Sequence, residues 1–111
     1  MTKSELEKQL SGNNQYKEIW LNGSENQSLC ALINGNIGWL MYLRYEGDPG
    51  YSTRNPLETS DEFIEFYLSN GQCDEYPKKW TYPINTIKDA MFSFIENSKL
   101  PKQVEWHNDS E

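Results

Sequence analysis

Two apolar runs separated by three turn-forming residues constrain this chain more than anything else in it. Ser28–Ile33 and Ile37–Tyr45 flank Asn34, Gly35 and Asn36, residues that tolerate the positive φ a tight hairpin needs. In the second run Ile37, Trp39, Met41, Leu43 and Tyr45 share one face of a strand, and Leu40 and Tyr42 share the other, because successive strand side chains alternate. Apolar residues on both faces put this strand inside a sheet that is covered from each side. Gly38 leaves room there for a bulky neighbour or marks a bulge.

The remaining elements follow from period and punctuation. Ser4–Leu10 reads as a short helix with Ser4 as its cap, and Tyr16–Leu21 as a strand ended by the Asn22-Gly23 turn. Gly47–Gly50 is a turn, and Tyr51–Asn55 a short strand stopped by Pro56. Over Glu62–Ser69, Ile64, Phe66 and Leu68 alternate with Phe63, Glu65 and Tyr67, and Asn70-Gly71 follows. That pattern favours a strand turning into Cys73–Tyr76 over a helix. Pro77 and Pro83 bracket Lys78–Tyr82, read as an extended segment near a sheet edge.

At Ile84 the period becomes helical: Ile84, Ile87, Met91, Phe94 and Ile95 fall on one stripe beside Ala90. Pro83, Asn85 and Thr86 supply start signals, Lys99 suits the C-terminal end, and Pro101 stops the helix. A last strand at Gln103–Trp106 buries Val104 or Trp106, and the tail His107–Glu111 frays. These elements predict one α+β domain over residues 1–111. It is a mainly antiparallel sheet with a C-terminal helix on one face and a short N-terminal helix.

Length permits one self-sufficient domain, since a chain of 111 residues buries roughly 60–70% of its extended surface without staples. Two cysteines, Cys30 in an apolar run and Cys73 after a turn, read as free thiols of a reducing compartment. Met1–Gln9 has no apolar signal core and no run approaches a membrane span, so the expected location is cytoplasmic with no membrane partner. The sequons at Asn22, Asn26 and Asn108 carry no meaning without secretion.

Charge is concentrated. Glu46, Asp48, Glu58, Asp61, Glu62, Glu65, Asp74 and Glu75 face a single base, Arg54, within thirty residues, and this segment accounts for the whole net charge of −7. Such a field attracts a basic partner; a solvated face kept for solubility is the plainer alternative. Nucleic acid is disfavoured as a ligand because phosphates need a basic stripe, and Lys78 and Lys79 beside Trp80 are too few.

Catalytic signals are missing. The single histidine, His107, lies near the chain end beside Asn108 and Asp109, where solvation is the usual fate. Cys30, Cys73 and His107 lack zinc-ligand spacing, and no phosphate-gripping glycine loop or nucleophile elbow occurs. Asp61, Glu62 and Glu65 could hold a cation or share a proton, but Glu62 and Glu65 diverge if this segment is a strand. The expectation is no enzyme, no metal and no cofactor.

One stretch carries a sharper likeness. Tyr82, Pro83 and Ile84, then Ala90, Met91, Phe92, Phe94 and Ile95, then Leu100, Pro101, Val104, Glu105 and Trp106 resemble the closing helix and strand of immunity protein family one. Gly38, Leu40 and Tyr42 ahead of the Gly47–Gly50 turn are similar to its central portion, so the likeness spans roughly residues 28 to 107. The resemblance implies a small α+β antidote that binds the C-terminal domain of a polymorphic or contact-dependent growth inhibition toxin, often a nuclease or nucleic-acid deaminase. It assigns no individual contact residues.

The acidic segment and the resemblance together predict a monomeric inhibitor that blocks a basic groove by steric and electrostatic occlusion. Its expected contacts are the eight acids with Tyr51, Tyr67, Tyr76 and Trp80 as aromatic anchors. Alternatives are a small enzyme using Asp61, Glu62 and Glu65, or an acidic adaptor or regulatory subunit of a non-toxin complex.

Overall fold

The computed structural model describes residues 1–110, and the predicted hairpin is its centre. Its elements are α1 (Lys3–Leu10), β1 (Tyr16–Asn22), β2 (Ser28–Asn34), β3 (Ile37–Leu43), β4 (Tyr51–Arg54), β5 (Phe63–Tyr67), β6 (Cys73–Pro77), β7 (Tyr82–Pro83), α2 (Ile84–Asn97) and β8 (Glu105–Asn108). β2 and β3 pair antiparallel with Asn34 opposite Ile37, and β1 lies along the other edge of β2 from Tyr16↔Asn34 to Asn22↔Ser28.

The far edge of β3 is shared. Met41 and Tyr42 pair with β4, while Ile37 and Gly38 pair with β7. Thr53 fills the gap between them: Leu40 N–H donates to its hydroxyl at 3.2 Å, and that hydroxyl donates to the Trp80 carbonyl at 2.8 Å. A buried amide thus keeps a partner where the ladder divides. β8 closes the order β1-β2-β3-β4-β8.

The two-faced pattern of β3 is explained by two cores. Leu40 and Tyr42 face α2, where Ile87, Ala90, Met91 and Phe94 are buried, and Leu6 of α1 joins them. Gly38 admits the helix: a Cβ there would lie 3.0 Å from Ile87 Cγ1 and 3.2 Å from the Leu32 carbonyl. On the opposite face β5 and β6 form a separate two-stranded sheet, and Phe66 packs on Cys30, Leu32 and Trp39. Full burial of such a phenylalanine contributes about 1.5–3 kcal/mol.

Four expectations are corrected. α1 is capped by Thr2 rather than Ser4, in a reciprocal box where Glu5 N–H donates to the Thr2 hydroxyl and Thr2 N–H donates to the Glu5 carboxylate. Lys78–Tyr82 is extended only at Thr81 and Tyr82: Lys78–Trp80 forms a 3₁₀ turn closed by Thr81, whose N–H and hydroxyl both donate to the Lys78 carbonyl. α2 stops at Asn97, where Ser98 takes a left-handed φ of 57°, so Lys99 lies outside the helix.

The tail is also better held than predicted. β8 lies two residues later than foreseen, at Glu105–Asn108 instead of Gln103–Trp106, Asp109 N–H donates to the Gly50 carbonyl at 2.9 Å, and Ser52 Oγ donates to Asp109 at 3.0 Å. Val104 is buried, and Trp106 packs beside it with its indole N–H donating to the Pro101 carbonyl. Glu111, part of that predicted tail, lies outside the described residues.

Candidate protein-binding surface

The fold divides the acidic segment into groups that are already occupied and groups that face solvent. Asp48 is buried and belongs to the first: it accepts from Arg44 Nε and Nη2 at 2.8 Å each and from the Arg44 backbone N–H at 2.9 Å. Those bonds hold its carboxyl well below the usual aspartate range. It locks the turn between β3 and β4 and offers no free charge. Asp61 is exposed but pairs with Lys79 at 2.9 Å, which lowers its pKa, and Glu62 lies 3.9 Å from Lys78.

Glu46 is exposed on the β3–β4 turn, and Glu58 is half-buried, accepting from Ser60 N–H at 3.1 Å. Asp74 is half-buried and accepts from Gln72 Nε2 at 2.8 Å. Glu65 and Glu75 remain. They stand directly opposite each other across β5 and β6, both exposed, and neither has an ion-pair partner among the described residues.

These two carboxylates share the outer face of the β5–β6 hairpin with Phe63, Tyr67 and Cys73, while Ile64 and Phe66 point to the sheet. Phe63 is 61% exposed and Tyr67 38%. The Tyr67 hydroxyl donates to Glu65 Oε2 at 3.1 Å, and that hydrogen bond to a carboxylate pushes its pKa up to about 12. The hairpin is fixed to the sheet by Asn34 Nδ2 donating to the Glu65 carbonyl at 2.9 Å and by Ser69 donating twice to Glu18. The result is a rigid, negative, partly aromatic surface.

Asp61, Glu62 and Glu65 do not converge, and among the described residues no group of three or more His, Cys, Asp and Glu is placed to hold a metal. His107 lies on β8 with its Nε2 3.9 Å from Asp109. No helix among the described residues is long and apolar enough to cross a membrane.

The model of the family described as Immunity protein Imm1 matches residues 4–108. The chain belongs to the Imm1 immunity protein family. It is accordingly an immunity protein, an inhibitor whose partner is a cognate toxin. The match includes the N-terminal strand and helix that the resemblance from residue 28 had left out. None of the curated proteins compared matches the chain.

Of the four aromatic anchors expected in this Imm1 protein, Tyr67 alone lies on the outer hairpin face, where its ring meets that of Tyr16 edge-on at 4.7 Å. Tyr51 packs against the α2-side core, its ring 6.3 Å from that of Tyr42. Tyr76 stacks on Trp39 at 4.5 Å, and burial pushes its hydroxyl up to about 12. Trp80 carries the guanidinium of Arg54 at 3.7 Å from its ring centroid. Sequence reasoning passed over Phe63, although the alternation of β5 had put it on the face of Tyr67, and Leu57, which is 91% exposed. Leu57 stands on a turn fixed by Asn55, whose side chain accepts from Leu57 N–H and donates to the Thr81 carbonyl.

Proposed function

We propose that this Imm1 protein neutralises its toxin by laying the outer face of the β5–β6 hairpin over a basic surface of the toxin domain. The toxin read here is the C-terminal domain of a contact-dependent growth inhibition or related polymorphic toxin that acts on nucleic acid, as a nuclease or nucleic-acid deaminase. Such enzymes need a cationic groove for phosphate, and carboxylates presented there compete with the substrate. The inhibitor works as a monomer in the cytoplasm and performs no chemistry.

The observation that carries this reading is the Glu65–Glu75 pair. Like charges directly opposite on a ladder destabilise the free hairpin, and no cation within the described part of the chain relieves them. A basic partner does relieve them. Phe63 and Tyr67 supply apolar contact beside the charges, the composition of an interface centre. A standard interface takes about 800 Å² and 20–30 residues from each side, so Glu58 and Asp74 act at the rim, with Asp61 and Glu62 sharing their lysines.

The test is toxin binding by a Glu65→Gln, Glu75→Gln variant across a salt series. The association rate falls by roughly 10-fold or more at low salt and its salt dependence flattens. An association rate and salt slope equal to those of the unaltered protein remove the electrostatic occlusion.

A further inference from the structure

The sheet face that carries the β5–β6 hairpin is left open at its far end, beyond Cys30 and Met41. There a cleft of about 650 Å³ is lined by Trp20 on β1, Leu43 at the end of β3, and Tyr45 and Glu46 just past it. Trp20 is 44% exposed and Tyr45 53%. No lysine or arginine is among the residues that line the cleft.

Trp20 is held for contact. Its indole N–H donates to Glu18 Oε2 at 2.8 Å, and Glu18 is fixed in turn by the Ser69 N–H and hydroxyl at 2.9 and 2.7 Å. The only polar atom of the ring is therefore satisfied from within, and the exposed part of the indole is apolar and oriented. Tyr45 is steadied from its own side by Arg44, whose guanidinium lies 5.7 Å from the ring centroid and is neutralised by Asp48. Trp20, Tyr45 and the exposed Glu46 line the cleft, and the base beside them, Arg44, lies outside the lining with its charge paired to Asp48, so the cleft can receive a second cation: aromatic faces attract it and Glu46 balances its charge.

We propose that this cleft receives one lysine or arginine side chain of the toxin, packed between Trp20 and Tyr45 with its charge toward Glu46. It is a second contact, separate from the hairpin, and rests on the proposed function only for the identity of the partner. Charge complementarity selects this occupant over an apolar side chain.

Two measurements test it. In the first, Nα-acetyl-arginine amide is titrated into the full ¹⁵N-labelled chain. The Trp20 indole N–H and the backbone amides of Tyr45 and Glu46 shift saturably, Glu46→Gln weakens the response, and Nα-acetyl-norleucine amide produces none. Equal response to the norleucine probe, or none at Trp20 with the arginine probe, overturns the proposal.

In the second, toxin affinity is compared for Trp20→Ala, Trp20→Phe and the Glu65→Gln, Glu75→Gln variant. Trp20→Ala loses roughly 10-fold, the scale of a desolvated cation–π contact, and Trp20→Phe retains most of the affinity. Unchanged affinity in Trp20→Ala alongside a weakened Glu65→Gln, Glu75→Gln variant removes the cleft and leaves the hairpin reading standing. The reverse pattern removes the hairpin reading and leaves the cleft.

Discussion

Glu65 and Glu75 occupy opposing positions on a two-stranded sheet that has no third strand to dilute their repulsion. Replacing Glu75 with Gln should therefore stabilise the free protein by roughly 0.2–1 kcal/mol, the range of cross-strand pair energies, while weakening its grip on the toxin. Urea denaturation and toxin affinity measured on the same variant give the answer. A variant that loses stability and keeps affinity would mean the pair serves the fold.

Asp48 predicts the opposite behaviour from its neighbours in sequence. Its carboxyl is depressed by the Arg44 hydrogen bonds, so the stability it contributes is present above its unfolded pKa of about 4 and disappears as pH falls through the lower folded value. Asp48→Asn should lower the melting temperature at neutral pH by more than Glu46→Gln or Glu58→Gln does. It should also flatten the loss of stability below about pH 4. Melting curves from acid to neutral pH check both.

What the sequence disclosed and what it hid have separate physical causes. β3 was readable because an alternating apolar load on both faces has one structural solution, two covered sheet faces, and the stripe from Ile84 to Ile95 likewise has one. The division of the acidic segment was not readable. Asp48 is consumed by Arg44, four residues earlier, and Asp61 and Glu62 by Lys79 and Lys78, which the chain brings back only through the β5–β6 turn. Counting charge along a window sees none of that pairing. The 3₁₀ turn at Lys78 and the tied tail at Asp109 are anchored by tertiary acceptors, the Glu62 and Gly50 carbonyls, and local propensity does not encode them.

Gly50 is the glycine whose replacement should cost most. It holds a φ of +77°, and a Cβ there would sit 2.6 Å from both the Tyr42 carbonyl oxygen and Leu43 Cδ2. Left-handed strain alone is worth about 1–3 kcal/mol, and the backbone oxygen does not have the freedom of a side-chain tip to move aside. Gly71 shares the positive φ, at +88°, but has open space around it, so Gly71→Ala reports strain without collision. Chemical denaturation should find Gly50→Ala the less stable of the two; equal losses would show that the β3–β4 turn yields to the added methyl.

The two thiols offer a test of where the toxin sits. Cys30 is buried beneath the hairpin, and burial pushes its thiol up to about 12, whereas Cys73 is exposed on the outer face, 3.8 Å from Glu65. At about pH 8 the folded protein should react with a maleimide at Cys73 alone, Cys30 becoming reactive only on unfolding. If the outer hairpin face meets the toxin, bound toxin should protect Cys73, and a polyethylene-glycol maleimide attached there should abolish neutralisation. Cys73→Ser carried through the same labelling separates bulk at this site from damage elsewhere, because it leaves the face intact and gives the reagent nothing to modify. Full neutralising activity in the fully modified protein would move the interface off the hairpin.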